Sequence, residues 1–488
     1  MRICTRYNTW QAEGMFFNSP EFFVFLPVVL CAYYVLGRRA QNAWLLAASY
    51  FFYGWWDWRF CSLLALSTVV DYTCALRIES SATDRVRRRW LLASLCSNLG
   101  ILGFFKYFNF FADSAAAFLS ALGFQAHLPV LRVVLPVGIS FYTFQTMSYT
   151  IDVYRRNLAP TRSFLDFALF VSFFPQLVAG PIERATNLLR QFAAPRTVTR
   201  PMLESGCFLI LVGFFRKLVI ADGVAPIVDS AFADTAAAGW GTLLCGALAF
   251  SLQIYGDFAG YSDIARGVSR LLGIELMVNF RQPYLSRSIT EFWRRWHISL
   301  SSWLRDYLYI PLGGNRRGTA ATYRNLMLTM LLGGLWHGAR WNFVIWGGLH
   351  GLFLAVHKWF LVRAGRKVGA ASRPFTPLGL LATAGTFFLV AFAWIFFRAQ
   401  TFADAASCIA GIATLRGGLG VFPAGLAVKV AVFAALTAFL DLPAYRRDAQ
   451  EAILDWPWIL RGTAYAVLFL SIVLLRPLDD VPFIYFQF

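Results

Sequence analysis

Charged side chains are scarce in this sequence of 488 residues. Asp, Glu, Lys and Arg make up 14% of it, against about 25% in an average soluble domain. Hydrophobic residues supply 58% and aromatic residues 17%, which is more apolar surface than a soluble fold can cover. This composition excludes a disordered chain, a collagen-like fibre and a nucleic-acid-binding globule, although the formal net charge is +18. It predicts an integral membrane protein.

Paired cysteines and the common catalytic motifs are also missing. The eight cysteines are scattered singly, without CxxC or zinc-finger spacing, so we expect buried thiols rather than a disulfide framework or a zinc site. The sequence contains no GxSxG elbow, P-loop or HExxH motif, and no GxGxxG that follows a strand. It therefore carries no local signature of the enzyme classes that use those motifs.

Long apolar runs dominate what is present. Since a spanning helix needs about 20 largely apolar residues, we expect about ten to twelve membrane-embedded helices. They form one continuous domain over residues 15–488, because no polar linker divides it. Residues 1–14 are predicted to be a disordered extension, with Met15 as the natural start. Run 164–180 is short, and run 131–153 contains Pro136 and Gly138. The candidate spans are 21–37, 42–58, 60–78, 89–111, 131–153, 164–180, 203–221, 239–256, 340–361, 377–397, 424–440 and 462–476.

Basic residues in the short connections predict the orientation in the membrane. Arg38 and Arg39 follow the first candidate span, and further arginines follow the third and the fifth. The connections after the second and fourth spans carry little basic charge, and the fourth is followed by His127. This alternation places the arginine-rich connections in the cytoplasm and the natural N-terminus outside, in a bacterial inner membrane.

The segment 281–324 breaks this pattern with eight arginines against two acidic residues. On a helix, most aromatic and leucine side chains between Phe292 and Tyr307 share one face, and most arginines and serines take the remainder. We therefore predict an amphipathic helix that lies at the interface or dips into the protein. A turn is expected over 309–315. The glycine-containing run 325–338 is too short to span a bilayer, and we expect a half-helix or re-entrant segment there.

Two of the five histidines are candidates for chemistry. His337 ends an apolar run, where an ionisable side chain is costly unless it faces a cavity, and neutral imidazole suits general-base catalysis near neutral pH. His297 lies at the edge of the aromatic face of the predicted helix. For each of them, a structural histidine bonded to its surroundings remains the alternative. His350 and His357 are predicted to make polar contacts between helices rather than to bind a metal.

Two carboxylates stand out in an apolar context. Asp257 and Asp263 lie in the sequence DFAGYSD at 257–263. Carboxylates inside a membrane are functional candidates by default, so an ion site and a structural pairing with arginine both remain open. The pairs Gly333–Gly334 and Gly347–Gly348 are predicted to be helix-packing or hinge positions.

Several motifs together resemble the membrane-bound O-acyltransferase (MBOAT) family, and within it the bacterial alginate O-acetylation branch. The resemblance covers nearly everything from Met15 onward, and its most specific part is the block 281–338, the expected catalytic core. The matching motifs are RQPYLSRSITEFWRRWHISLSSWLRDYLYIPLGGNRRG at 281–318, LLGGLWHG at 331–338, PVGISFYTFQ at 136–145, VAGPIER at 178–184, DFAGYSD at 257–263 and PFIYFQF at 482–488.

The resemblance implies an all-α polytopic fold, in which tilted transmembrane helices and re-entrant segments form a ring around a central tunnel. It implies an O-acyltransferase that moves acetyl from cytoplasmic acetyl-CoA toward a hydroxyl of an extracytoplasmic, alginate-like polysaccharide. Relatives in this branch typically work with a periplasmic partner resembling an SGNH hydrolase. The essential histidine of the family corresponds to His337, and its second position corresponds to His297. We expect no permanently bound cofactor and no metal.

Acetyl-CoA is anionic, so its phosphates need a cationic cytoplasmic surface, for which guanidinium groups are well suited. Positive-inside anchoring is the alternative, and we favour it for most of the candidates. In the expected chemistry, His337 removes the proton of the acceptor hydroxyl, and His297 orients the carbonyl or stabilises the oxyanion. The candidate arginines are Arg294, Arg295, Arg305, Arg316, Arg317 and Arg324.

Three other functions remain open. A transporter or flippase for a polysaccharide precursor shares the polytopic build, but it predicts inverted repeats, and we find none in the sequence. An inactive scaffold of an export complex is a second possibility. Transfer of D-alanyl groups to teichoic acid, or of acyl groups to peptidoglycan, would use the same scaffold with a different acceptor.

Overall fold

A computed structural model of the chain describes residues 14–124, 134–365, 376–477 and 483–484. Within these ranges the chain forms α-helices, short 3₁₀ and π-helical stretches and turns, and no β-strand. The expected all-α fold is therefore confirmed. Almost all of the predicted N-terminal extension, His127 and most of the motif PFIYFQF lie outside the described residues.

The chain folds into two compact units. One comprises Met1–Cys207 and Ala265–Met277, and the other Phe208–Ile264 and Val278–Phe488. The single domain expected for residues 15–488 stays a prediction, and so do the ring of helices and its tunnel.

The first unit contains the N-terminal helices. A π-helical stretch, Gly103–Tyr107, joins its fourth and fifth helices, and the tenth helix continues into the second unit. The helices are α1 (Pro20–Val35), α2 (Arg38–Asp57), α3 (Cys61–Ser80), α4 (Asp84–Leu102), α5 (Phe108–Ala121), α6 (Ile139–Tyr154), α7 (Phe164–Ser172), α8 (Phe174–Leu177), α9 (Leu188–Ala193) and α10 (Arg200–Phe214).

The second unit holds every residue singled out above for chemistry. Two π-helical stretches, Phe215–Ala221 and Arg305–Tyr309, follow α10 and the fourteenth helix. From Ala265 onward, α12 belongs to the first unit. The remaining helices are α11 (Asp222–Ala233), α12 (Trp240–Leu271), α13 (Ile289–Arg295), α14 (Ile298–Leu304), α15 (Gly318–His337), α16 (Trp341–Arg363), α17 (Pro377–Arg398), α18 (Phe402–Ala413), α19 (Ala424–Arg447) and α20 (Trp458–Leu475).

Among the described residues, seven helical segments are long and apolar enough to cross a membrane, so the chain is a multi-pass membrane protein. The count of ten to twelve embedded helices stays a prediction, because the segment Arg38–Ser80 alone covers two predicted spans, 42–58 and 60–78. Two other predicted spans are interrupted. In its described part, residues 134–153, the run 131–153 becomes helical at Ile139, after Gly138 with φ of 75°. The run 164–180 breaks at Phe173 between α7 and α8. The segments are Arg38–Ser80, Asp84–Ala121, Trp240–Leu271, Trp341–Arg363, Pro377–Arg398, Ala424–Arg447 and Trp458–Leu475.

The predicted amphipathic helix over the aromatic stripe is not continuous. It breaks at His297, whose φ of 42° and ψ of 56° are left-handed, so that α13 ends at Arg295 and α14 begins at Ile298. The aromatic face is nevertheless buried, and Phe292, Trp296 and Trp303 are no more than 5% exposed. Hydrophobic periodicity identified the buried face, but it contains no information about a break that depends on contacts outside the segment. The predicted turn before Arg316 is confirmed.

The helix that carries His337 is longer than expected. It begins at Gly318 rather than near 325 and has 20 residues. It packs closely on α16 through two glycines: a Cβ added at Gly334 would lie 2.1 Å from the carbonyl oxygen of Phe343, and one at Gly347 would lie 2.2 Å from that of Met330. The predicted packing role of these two glycines is confirmed, and it fixes the end of α15 against α16.

Candidate active site

His337 is the last residue of α15, and Gly338 beyond it is extended. Three aromatic rings surround its imidazole, with centroids 5.0 Å away for Trp336, 5.1 Å for Trp346 and 5.5 Å for Phe397. The side chain is 6% exposed. A Cβ at Gly338 would lie 2.2 Å from the ring of Phe343, so a larger residue at that position would have to displace this ring.

His297 lies at the break between α13 and α14 and is fully buried. Its ring centroid is 4.6 Å from that of Phe258 on α12, with the two rings perpendicular. It is 6.2 Å from the centroid of His337. The two histidines that the sequence identified as candidates are therefore neighbours within one aromatic-walled site.

The left-handed backbone of His297 is unusual for a residue with a side chain, and costs about 1–2 kcal/mol. Such a conformation persists only where the surroundings enforce it. Here the neighbouring Ile298 N–H donates to the backbone carbonyl of Asn279 at 2.9 Å. The N–H and hydroxyl of Ser299 both donate to Asn279 Oδ1, at 3.3 and 2.9 Å. Ile298 and Ser299, which follow His297 in the chain, thus hold the helix break against Asn279 through hydrogen bonds.

Asn279 also contacts the imidazole itself. Its Oδ1 lies 3.1 Å from Nδ1 of His297, and its Nδ2 donates to the hydroxyl of Ser262 on α12 at 3.2 Å. Asn279 and Ser262 are both buried. The sequence alone does not single out Asn279, because a lone Asn between apolar residues has no local signature, and Ser262 stands out only as part of the motif DFAGYSD.

Burial, and secondarily the nearby His337, lowers the pKa of His297 well below its usual value. His297 lies outside the seven candidate membrane spans. At neutral pH its ring is therefore an uncharged imidazole, which can accept a hydrogen bond or a proton at one nitrogen and donate at the other. Two imidazoles among aromatic rings form a site of low polarity, where a proton transfer between side chain and substrate is little disturbed by water.

The other two described histidines make contacts between helices, as predicted. The indole N–H of Trp293 on α13 donates to Nδ1 of His350 on α16 at 3.3 Å. Nδ1 of His357 lies 2.9 Å from the hydroxyl of Thr290. Within the described ranges, no group of three or more His, Cys, Asp or Glu side chains is arranged to hold a metal ion.

The six arginines proposed for acetyl-CoA fall into two groups. Arg295 and Arg305 pair with acidic side chains, at 3.0 Å from Glu291 and 2.7 Å from Asp306. The guanidinium of Arg295 also lies 4.7 Å from the ring centroid of Tyr445. The other four form no ion pair in the described structure and are exposed, as the paired Arg305 also is, and Arg324 donates to Asn325 Oδ1: Arg294, Arg316, Arg317 and Arg324.

The two carboxylates of DFAGYSD belong to a buried ionic network. Arg216 bridges Asp263 at 3.0 Å and Asp441 at 2.8 Å. Lys217 bridges Asp257 and Asp222, at 2.9 and 2.8 Å. Of the two alternatives left open by the sequence, pairing with basic residues is the one observed, although the partner of Asp257 is lysine.

Comparisons with known proteins identify relatives over most of the chain. The model of the MBOAT, membrane-bound O-acyltransferase family, matches residues 50–366, a range that includes both histidines. A Pseudomonas putida protein named probable alginate O-acetylase AlgI is 42% identical over 97% of this chain and 100% of its own length. The Pseudomonas aeruginosa protein of that name is 48% identical over 79% of this chain and 72% of its own. A peptidoglycan O-acetyltransferase of Helicobacter pylori is 39% identical over 83% of this chain and 80% of its own.

Proposed function

This chain belongs to the membrane-bound O-acyltransferase family, and from that premise we propose that it transfers an acetyl group from cytoplasmic acetyl-CoA to a hydroxyl bound for an extracytoplasmic polysaccharide. Its multi-pass helical build and its O-acyltransferase family membership are the framework for this proposal. The observation that carries it is the pair of buried, neighbouring imidazoles of His297 and His337 within aromatic walls.

His337 is the general base of the proposed reaction. In its neutral form it takes the proton of the acceptor hydroxyl as that oxygen attacks the thioester carbonyl. The carbon–sulfur bond then breaks, and the imidazolium returns the proton to the departing thiolate, so that the products are an O-acetyl ester and CoA thiol. Assistance of this kind accelerates a reaction about 10²–10⁴-fold.

The exposed arginines support binding of the donor. Arg294, Arg316 and Arg317 leave their guanidinium groups available to phosphate oxygens. Arg295 and Arg305 pair with Glu291 and Asp306. We therefore assign these two arginines a smaller part in binding the donor phosphates than the sequence suggested. The thioester end of the donor then reaches the histidines through the protein.

The acceptor is proposed from the relatives. Two proteins named probable alginate O-acetylase AlgI and one named peptidoglycan O-acetyltransferase cover most of this chain. We therefore propose an alginate-like polysaccharide as the final acceptor, with peptidoglycan as the second candidate. A periplasmic partner resembling an SGNH hydrolase would carry the acetyl group between this protein and the polymer.

The test uses the full chain in sealed vesicles with labelled acetyl-CoA outside and alginate oligosaccharides inside, with and without an SGNH-type partner in the lumen. We expect CoA thiol to be released outside and labelled acetyl ester to form inside. His337→Gln is expected to lower both signals by about 10²–10⁴-fold. Movement of polysaccharide across the membrane with the thioester intact would instead show a flippase, and label on peptidoglycan fragments alone would replace the acceptor.

A further inference from the structure

A short non-helical segment, residues 279–281, holds the break at His297 in place through hydrogen bonds. The N–H of Arg281 donates to the carbonyl of Arg295 at 2.9 Å, and the carbonyl of Asn279 accepts from Ile298 N–H, also at 2.9 Å. These two bonds flank Trp296 and His297 and hold the ends of α13 and α14 against residues 279–281. The position of His297 is therefore determined by a segment that also presents the side chain of Asn279 to it.

The orientation of the Asn279 amide follows from its partners. The backbone N–H of Ser299 points at one amide atom from 3.3 Å, and a backbone N–H can only donate. That atom is therefore the oxygen, since a flipped amide would place NH₂ against N–H. The flipped state would also remove the donor that bonds the hydroxyl of Ser262 at 3.2 Å.

This orientation decides the tautomer of His297. Because Asn279 Oδ1 is an acceptor, the imidazole nitrogen 3.1 Å from it, Nδ1, carries the hydrogen in the bond. A neutral imidazole has one N–H, so Nε2 carries the lone pair. The hydroxyl of Ser299 lies 3.4 Å from the same Nδ1 but donates to Asn279 Oδ1 at the shorter distance of 2.9 Å.

We propose that Asn279 is a positioning residue that locks His297 as the Nδ1–H tautomer, so that His297 meets substrate as a hydrogen-bond acceptor through Nε2. This inference rests on the proposed function for its substrate, an alcohol, and it revises the role of His297 within that function. A neutral imidazole in this tautomer cannot donate to a developing oxyanion from Nε2. It can accept the hydrogen bond of the attacking hydroxyl and aim that hydroxyl at the thioester carbon, with His337 beside it.

The ring of the ionisable His337 lies 6.2 Å from that of His297, centroid to centroid. On α12, Asp257 and Asp263 are held by Lys217 and Arg216. The amide of Asn279 is thus the group that sets which nitrogen is protonated, and Ser262 supports that amide from behind.

The direct test is nitrogen-15 NMR spectroscopy of the full chain in lipid, with its histidines labelled. The five histidines give few signals, and His297→Gln identifies those of residue 297. We expect a protonated Nδ1 and an unprotonated Nε2 at neutral pH. In Asn279→Ala the hydroxyl of Ser299 can donate to Nδ1, so the hydrogen moves to Nε2. An unchanged tautomer in Asn279→Ala, or an Nε2–H tautomer in the wild type, would overturn the proposal.

Kinetics supply the second readout. Asn279→Ala is expected to lower kcat for acetyl transfer about 10–100-fold, the size of effect seen when a group that orients a metal-bound histidine is removed, with little change in KM for acetyl-CoA. Asn279→Asp keeps an acceptor oxygen at Nδ1 and should recover most of the rate. Its carboxylate favours the imidazolium form, so the acid limb of the pH–rate profile should move to higher pH. If Asn279→Asp recovers the rate but its acid limb stays at the wild-type pH, the proposal is contradicted.

A matched control separates positioning from general packing. Asn342 is also buried, and its amide donates to the carbonyl of Ala399 at 2.9 Å. Asn342→Ala should leave the tautomer of His297 and the pH profile as in the wild type, and a shift in either would contradict the proposal.

The outcomes also distinguish this inference from the proposed function. If the wild type cleaves no thioester but shows the Nδ1–H tautomer that Asn279→Ala removes, the function fails and the positioning role stands. If the wild type is active and Asn279→Ala matches it in tautomer, rate and pH profile, the positioning role fails and the function stands.

Discussion

Two buried polar centres in the second unit are built in opposite ways. The first joins Arg216 and Lys217, from one π-helical stretch, to four aspartates over distances of 2.8–3.0 Å. The second contains the imidazoles of His297 and His337, walled by aromatic rings, with an amide as the polar partner of His297.

The difference shows how burial separates structure from chemistry. A buried charged side chain that is already bonded to side chains of opposite charge has no bonding capacity left for substrate. Removing it is costly because its former partners stay buried without a counter-charge. A neutral imidazole at a strained backbone position keeps a titratable nitrogen for reaction. We therefore expect mutations in the ionic network to remove folded protein, and mutations at the histidines to remove turnover from protein that stays folded.

The largest expected effect on stability is that of Lys217→Met. It leaves Asp222 and Asp257 buried without the ammonium group that bridges them, which costs about 3–5 kcal/mol of unfolding free energy. Thermal unfolding of the purified protein in detergent measures this change. The molecules that remain folded should keep the wild-type rate of acetyl transfer.

A paired substitution sharpens that result. Lys217→Met with Asp257→Asn removes one charge of each sign and should melt at a higher temperature than Lys217→Met alone. If the double variant is no more stable than the single one, charge compensation does not stabilise the network. The proposed difference between a charge-paired structural network and a neutral histidine site would then lose its support.

A buried carboxyl in the first unit gives a smaller effect with a defined pH dependence. Glu183 is fully buried and accepts hydrogen bonds from Asn187 and from the N–H of Met277. Burial raises the pKa of Glu183 from 4.5 to about 7. Between these values the unfolded chain has lost the proton that the folded chain keeps, so stability falls as pH rises, by about 3 kcal/mol in total.

Glu183→Gln should abolish that contribution. Melting temperatures measured from pH 4 to 8 would then decline less across this range than those of the wild type. An identical slope in both proteins would show that Glu183 does not titrate in this window.

The smallest expected effect concerns the arginines. Arg316→Gln with Arg317→Gln removes two exposed charges, and we expect KM for acetyl-CoA to rise about twofold to fivefold, as for exposed ionic contacts, with kcat unchanged. Arg305→Gln serves as the control because Arg305 already pairs with Asp306. Steady-state kinetics at low and high salt test this. An equal rise for Arg305→Gln would mean that the exposed arginines have no special part in binding the donor.

Much of this arrangement could be predicted from local sequence features. Apolar runs predicted the multi-pass build. The position of His337 at the end of an apolar run, that of His297 at the edge of the aromatic face, and the motifs that contain them marked the two histidines as candidates. The buried face from Phe292 to Trp303 followed from helical periodicity.

The remaining features depend on contacts between distant residues. The break at His297 is held by Asn279, 18 residues earlier, and no periodicity within the helix contains that partner. The partner of Asp441 could not be predicted for the same reason, since Arg216 lies 225 residues away. The early start of α15 at Gly318 was missed because polar residues precede its apolar part.

The rate of CoA thiol release by equal amounts of folded wild type and His337→Gln tests the central claim most directly. Both proteins are purified in lipid discs and supplied with acetyl-CoA and a hydroxyl acceptor. Their melting temperatures are measured in the same discs, so that the rates are compared between proteins of equal stability. We predict that the wild type turns over and that the variant, equally stable, is slower by about 10²–10⁴-fold. Equal rates in the two proteins, or a loss of rate that only follows a loss of folded protein, would contradict a catalytic imidazole at this position.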